Sequence, residues 1–343
     1  MKEQYGRRLS KKISRVSCCI CFLVLTAQTS LFAQAEKGED GNKQPDKAIA
    51  PVIDTVAYNK RMQLLANDDA TGRWPVKTGL PVPGAVLPFY RIVAYYGNLF
   101  SKTMGILGEL PKEKMLQKLN GEIQKWADAD PETPVLPALH YIAVTAQGSP
   151  GADGKYRLRM PFRQIDTIIK WAGEINALTF IDVQTGQSTV EEEIPRFQKY
   201  FKLPTFHLGI DPEFSMKDGE VPGRVIGSLD AAAINYVIDY LADIVRENDL
   251  PPKILVIHRF TNDMVKDYKA IKTVPEVQVV IDMDGWGTRS LKKNSYNAFI
   301  YRQPVQFAGF KLFYKNDTKK GGLLFTPPEV LKLKPQPVYI QYQ

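Results

Sequence analysis

Short runs of apolar and β-branched residues recur along the chain from residue 89, each followed by a stretch of helical periodicity. The runs predict eight strands: Tyr90–Tyr96, Val135–Val144, Leu178–Val183, Phe206–Ile210, Lys253–Phe260, Val277–Met283, Phe307–Tyr314 and Val338–Tyr342. Between them, Lys112–Ala127 repeats apolar residues at Met115, Leu119, Ile123 and Trp126, and Pro161–Ile175 opens with proline at a first-turn position. Asp230–Asn248 places Ile234, Val237, Ile238, Leu241 and Val245 on one face, and Ser228 is a candidate cap. Eight strands alternating with helices predict a single parallel (β/α)8 barrel over residues 89–343. The span from Tyr90 to Gln343, 254 residues, matches the ~250 typical of that fold. A doubly wound open sheet is the alternative; eight strands are many for it, and no G-x-G-x-x-G turn follows the first strand.

The chain ahead of the barrel divides into three. Residues 1–35 read as an export signal: a basic stretch ending at Arg15, an apolar run Val16–Leu25, and an A-x-A site at Ala33-Gln34-Ala35. The apolar run is about ten residues, short of the ~20 that span a bilayer, so a membrane anchor is disfavoured. Residues 36–51 are polar and charged, as in a flexible linker. Residues 52–88, with weak periodicity and the Pro/Gly cluster 80–88, predict an irregular extension with one short helix at Val56–Ala66.

Charge and cysteine content narrow the function. Of 45 basic and 37 acidic groups, six and one lie in residues 1–35, leaving 39 and 36, or +3 over 308 residues. That excess is too small for a nucleic-acid binder, which needs a concentrated basic face. Cys18, Cys19 and Cys21 all fall within the expected signal. The chain after it therefore has no thiol for disulfides, thiolate metal sites or a cysteine nucleophile, which suits a periplasmic or extracellular protein. There is no P-loop, G-x-S-x-G elbow, H-x-H or H-E-x-x-H, so no cofactor and no metal is called from motifs.

The chemistry of such a barrel sits at the C-terminal ends of its strands. Side chains alternate along a strand, so each tetrad IDVQ, IDPE and IDMD turns two polar groups inward: Asp182 with Gln184, Asp211 with Glu213, and Asp282 with Asp284. The same parity adds His258, Lys311, His140 and Gln341, while His207 and Gly209 share the face of Asp211. Tyr95, Tyr96 and Trp286 lie at strand ends, where rings can stack on a sugar, and Tyr95 and Tyr96 read at least as well as core or rim packing. The loops Thr145–Met160 and Pro212–Gly227 are long enough to overhang the mouth as lids. Each acid taken singly reads as well as a helix cap, and each histidine as a hydrogen-bonded core residue. Several carboxylates within one apolar mouth are expensive to bury without a function.

Paired carboxylates in an exported barrel are most often used for glycoside cleavage. The segment Asp211-Pro212-Glu213 resembles the strand-4 acid position of barrel glycoside hydrolases, including chitinase-like families that end this strand in D-x-E. The likeness runs over about seven residues. It implies Glu213 as the acid and Asp211 as its partner, with Asp282 or Asp182 as the second carboxylate. His207 and Gly209 stand where chitinases carry further acids, and the seventh strand lacks a carboxylate, so the two-glutamate retaining pattern is incomplete. With YYGNLFSKTMGILGEL after the first strand and VIDMDGWG at the sixth, the whole chain is similar to secreted bacterial (β/α)8-barrel proteins with glycoside-hydrolase-like features, which implies no particular activity.

The expectation is an exported hydrolase of a glycosidic bond, with Glu213, Asp211, Asp282 and Asp182 catalytic. Gln184, His258, Asp284, Trp286, Tyr96, Lys311 and Gln341 would bind a carbohydrate or other small polar ligand. Two alternatives stay open. One is a divalent-metal phosphodiesterase-like hydrolase using Asp182, Asp211, Glu213, Asp282 and His258; the other is a barrel that binds a glycan without cleaving it.

Overall fold

A computed structural model describes residues 53–343. The expected signal and linker, and residue 52 of the extension, lie outside the described residues. Eight parallel strands form the barrel: β1 (Arg91–Gly97), β2 (Val135–Ala146), β3 (Leu178–Val183), β4 (Phe206–Ile210), β5 (Lys253–Arg259), β6 (Val277–Met283), β7 (Phe307–Leu312) and β8 (Tyr339–Tyr342). Each pairs in parallel with its neighbours in sequence. β8 returns to β1 (Ile92 opposite Tyr339, Tyr95 opposite Tyr342), which closes the ring and excludes the open sheet. No helix among the described residues is long and apolar enough to cross a membrane.

Alternation sorts the strands into two cores. Outward residues such as Val93, Leu139, Ile181, Leu208, Ile257 and Ile281 are buried beneath the helices. Helix Ala231–Glu247 turns Ile234, Val237, Ile238, Leu241 and Val245 inward and packs on both β5 and β6. Its cap is Asp230, whose carboxylate accepts from Ala233 N at 3.0 Å; Ser228 stands too far before the first turn to do so. The helical layer is interrupted between β5 and β6. The described segment 260–276 holds a short strand, Val265–Lys266, and a 3-10 turn, Tyr268–Ala270, because Pro275 and the left-handed Asp267 interrupt a run without an apolar stripe.

The inward residues form the second core. Ile92, Ala94, Ala138, Phe180, Ile254, Val256 and Val280 fill the lower barrel. The extension closes that end. Helix Thr55–Ala66, capped by Asp54, packs Tyr58, Met62 and Leu65 onto this core. Leu87 exchanges two hydrogen bonds with the buried amide of Gln278, accepting from Nε2 at 2.6 Å and donating to Oε1 at 3.1 Å. The apolar filling stops halfway up, and the upper interior is polar.

Candidate active site

The upper interior is built in two storeys. The lower one holds His140, Asp182, His258, Asp282 and Gln341, all fully enclosed. His258 lies between carboxylates: Nε2 is 3.5 Å from Asp182 Oδ1, and Nδ1 is 3.2 Å from Asp282 Oδ2 and 3.3 Å from Asp284 Oδ2. His140 Nε2 stands 3.7 Å from the same Asp182 oxygen. Its Nδ1 is held by Tyr339 Oη at 2.6 Å and the Gln341 amide at 3.0 Å. The other Asp182 oxygen accepts from Tyr96 Oη at 2.7 Å. Two glycines make this storey possible. A Cβ on Gly209 would collide with His140 Nε2 and stand 2.7 Å from Asp182 Oδ1, and one on Gly309 would stand 2.6 Å from Asp282 Oδ1.

Charge is distributed unevenly in this storey. Burial opposes the protonation of His258, but Asp284, Asp182 and Asp282 outweigh it and hold its pKa well above the ordinary histidine value. Burial wins at His140 and lowers its pKa to about 4 despite Asp182. Burial pushes Asp182 up, and the two imidazoles more than reverse that, leaving it below the usual carboxylate range. Asp282 stays above its ordinary value, chiefly from burial, which His258 only partly offsets.

The upper storey is the wall of a cavity of about 980 Å³ at the mouth. Asp211, Glu213, Asp284 and Lys311 line it, with Tyr96, Gln184 and Trp286. Asp284 Oδ1 is 2.9 Å from Lys311 Nζ, and that ammonium also lies 3.9 Å from the centre of the Tyr96 ring. Gln184 is fixed by accepting from Ala146 N, and its amide donates to Asp211 Oδ2 at 3.3 Å. Asp211 Oδ1 caps the one-turn 3-10 helix Pro212–Phe214 by accepting from Glu213 N, and Gly227 N donates to the Glu213 carbonyl at 2.7 Å. The Glu213 backbone is thus clamped from both sides while its carboxyl faces the cavity. Burial and the Asp284 charge raise that carboxyl to about 7, with Lys311 and His258 opposing. Asp211 is also raised, mainly by burial and then by Glu213, Asp182 and Asp284.

Several expected features are placed differently. Asp182, Asp282, His258 and Gln341 do not line the cavity; they lie one storey beneath it. Tyr95 points outward, its hydroxyl 3.0 Å from that of Tyr314, because its neighbour Tyr96 takes the inward face. His207, by contrast, is the hydrogen-bonded core residue that the sequence favours, its Nδ1 accepting from Ile254 N at 3.1 Å. The loop after β2 is no free lid. Arg157–Arg159 folds back antiparallel onto β2, and Arg157 and Arg159 are both paired with the buried Glu193. Phe260 and Phe313 on the cavity wall, and Tyr339 beneath it, went unread. Each lies two residues from a polar inward residue, His258, Lys311 or Gln341, so the same alternation would have found them. Trp286 is 56% exposed on a loop tied down by Gly287 N donating to Asp317 Oδ1 at 2.9 Å.

The fold and this mouth define a closed (β/α)8 barrel with an acidic, aromatic-walled cavity at the C-terminal strand ends. No protein-family model matches the chain, and no curated protein matches it. Among solved structures it is similar to a ruminal GH26 endo-beta-1,4-mannanase, at 13% identity and a TM-score of 0.35. That match covers 78% of this chain and 64% of the mannanase, so the chain spans less than two thirds of its neighbour's length.

Proposed function

We propose that the protein is an exported hydrolase of glycosidic bonds, with Glu213 as general acid and Asp284 as the second carboxylate. One observation carries the reading. Glu213, raised to about 7, shares a cavity with a carboxylate that is ion-paired to a buried lysine. Two carboxyls whose surroundings differ in this way are the arrangement that acid-assisted glycoside cleavage needs. Protonated Glu213 would deliver its proton to the leaving-group oxygen as the C–O bond breaks. Asp284, held by Lys311, would face the positive charge that develops on the sugar ring; a water then forms the new C–O bond at the anomeric carbon, and the proton it releases restores the acid form of Glu213. Asp211 acts as a positioning residue, through its cap on Glu213 N. Asp182 and Asp282 lie beneath the cavity wall, which favours Asp284 over either as the carboxylate in contact with substrate. Trp286, Phe260 and Phe313 offer apolar faces to sugar rings. Export rests on the basic, apolar and A-x-A order of residues 1–35.

The test is release of reducing sugar from a panel of polysaccharides, β-mannans and β-glucans included, by wild type and Glu213→Gln. A loss of at least a hundredfold in kcat, with the fold intact, supports the assignment. Unchanged turnover in Glu213→Gln removes Glu213 from the chemistry. Saturable glycan binding without turnover would make the barrel a binding protein.

A further inference from the structure

We propose that His140, Asp182 and His258 form a site for one divalent transition-metal ion of the zinc type, in the storey beneath the cavity. The three side chains are fully enclosed, and a ligand atom from each lies within 4.8 Å of the other two. The atoms that face one another, His140 Nε2, Asp182 Oδ1 and His258 Nε2, have no hydrogen-bond partner among the described residues. Buried polar atoms are almost always satisfied, so orphaned atoms on three separate strands aimed at one spot call for an occupant.

The spacing suits an ion. A tetrahedral zinc with bonds of ~2.0–2.1 Å holds its ligands ~3.3–3.4 Å apart. The observed separations, 3.7 Å from His140 Nε2 and 3.5 Å from His258 Nε2 to Asp182 Oδ1, are wider by a few tenths of an ångström. Two imidazoles and one carboxylate are also a donor set that zinc and its first-row neighbours accept.

Two of the three outward atoms are already hydrogen-bonded and the third faces carboxylates, as in built metal sites. Asp182 Oδ2 accepts from Tyr96 Oη. His258 Nδ1 faces the carboxylates of Asp282 and Asp284, the partners that orient a ligating histidine and make it more basic. His140 Nδ1 faces Tyr339 Oη and the Gln341 amide. Gln341 Oε1 is itself unpartnered, and turning that amide over lets it accept from Nδ1–H, which leaves Nε2 free for the ion. Gly209 leaves the space that the ligands occupy, since a Cβ there would meet both His140 Nε2 and Asp182 Oδ1. The ion would tie β2, β3 and β5 together across the barrel, independently of whether the cavity above cleaves glycans.

The experiment uses the full untagged chain, stripped with a chelator and reloaded with Zn²⁺ or Co²⁺. Wild type should retain about one equivalent by elemental analysis, and its Tm should rise on the order of 5 °C at a hundredfold excess over Kd. Asp182→Asn should lose both effects. Co²⁺ should give the visible absorption of a tetrahedral nitrogen–oxygen site without thiolate charge transfer, which separates this site from Cys18, Cys19 and Cys21. The Co²⁺ spectrum on wild type decides the matter even if Asp182→Asn does not fold. The proposal fails if the stripped wild type takes up no ion. It also fails if Asp182→Asn binds as wild type does, or if the cobalt spectrum is that of thiolate ligation. A water molecule bridging the three side chains is what would then remain.

Discussion

Lys311 Nζ lies 2.9 Å from Asp284 Oδ1, and both side chains are almost wholly buried at the floor of the mouth. Breaking a buried pair from one side leaves a charge without compensation, at a cost of about 3–5 kcal/mol. Lys311→Met, close in volume, should lose about that much stability in urea unfolding. Loss of the ammonium also removes an influence that holds Glu213 down, so Glu213 should titrate higher than in wild type. Retention of wild-type stability would mean that Lys311 is not the counter-charge of Asp284.

Glu213 gives the protein a pH signature. Its folded pKa, about 7, lies above the ordinary value of 4.5, so the native state keeps a proton that the unfolded chain releases. The stability this contributes is complete below about pH 4.5 and is lost as the pH climbs to about 7. Asp211, raised in the same sense, adds to the slope. Glu213→Gln should flatten the fall without abolishing it, as measured by chemical denaturation at a series of pH values. Any hydrolysis by the wild type should decline above about pH 7 as the acid form is depleted. An alkaline optimum would conflict with the assigned role.

Gly209 is a steric requirement. Gly209→Ala places a methyl group against His140 Nε2 and Asp182 Oδ1 on a buried strand, where neither can retreat into solvent. The expected loss is about 1–3 kcal/mol by thermal or urea unfolding. The same change at Gly148, where a Cβ meets nothing within 4 Å, should be nearly silent.

Trp286 should behave in the opposite way. It is 56% exposed on the cavity wall, so Trp286→Ala removes little packing and should leave Tm within a degree or two. If the cavity takes a glycan, loss of a stacking face worth about 0.5–1.5 kcal/mol should weaken binding roughly 2–13-fold. A large fall in Tm with unchanged binding would make Trp286 a packing residue of its loop.

The barrel was legible because each strand is a short apolar run with a fixed alternation. Parity alone placed Tyr96, Asp182, His258, Asp282 and Lys311 inside. It did not give depth. Whether an inward carboxylate meets solvent or lies beneath it depends on how neighbouring strands are staggered. Asp282 stands opposite His258 and Gly309, and Asp182 opposite Gly209, so three of the four carboxylate–imidazole contacts, those made by Asp182 and Asp282, fall in the lower storey. That stagger is a property of the closed ring and is written in no single strand. The missing helix between β5 and β6 was obscured for a similar reason: Ala231–Glu247, from the preceding connection, covers both strands and removes the need for another.

Among the described residues, the helix Thr55–Ala66 and the Leu87–Gln278 pair cover the lower end of the barrel, opposite the cavity. Tyr96 and Gln184, on the cavity wall, stand between that cavity and the enclosed histidines. A chain shortened to begin near Phe89 would wet the apolar side chains that Tyr58, Met62 and Leu65 now cover, while Phe180, Val256 and Val280 would still stand between solvent and the buried charges.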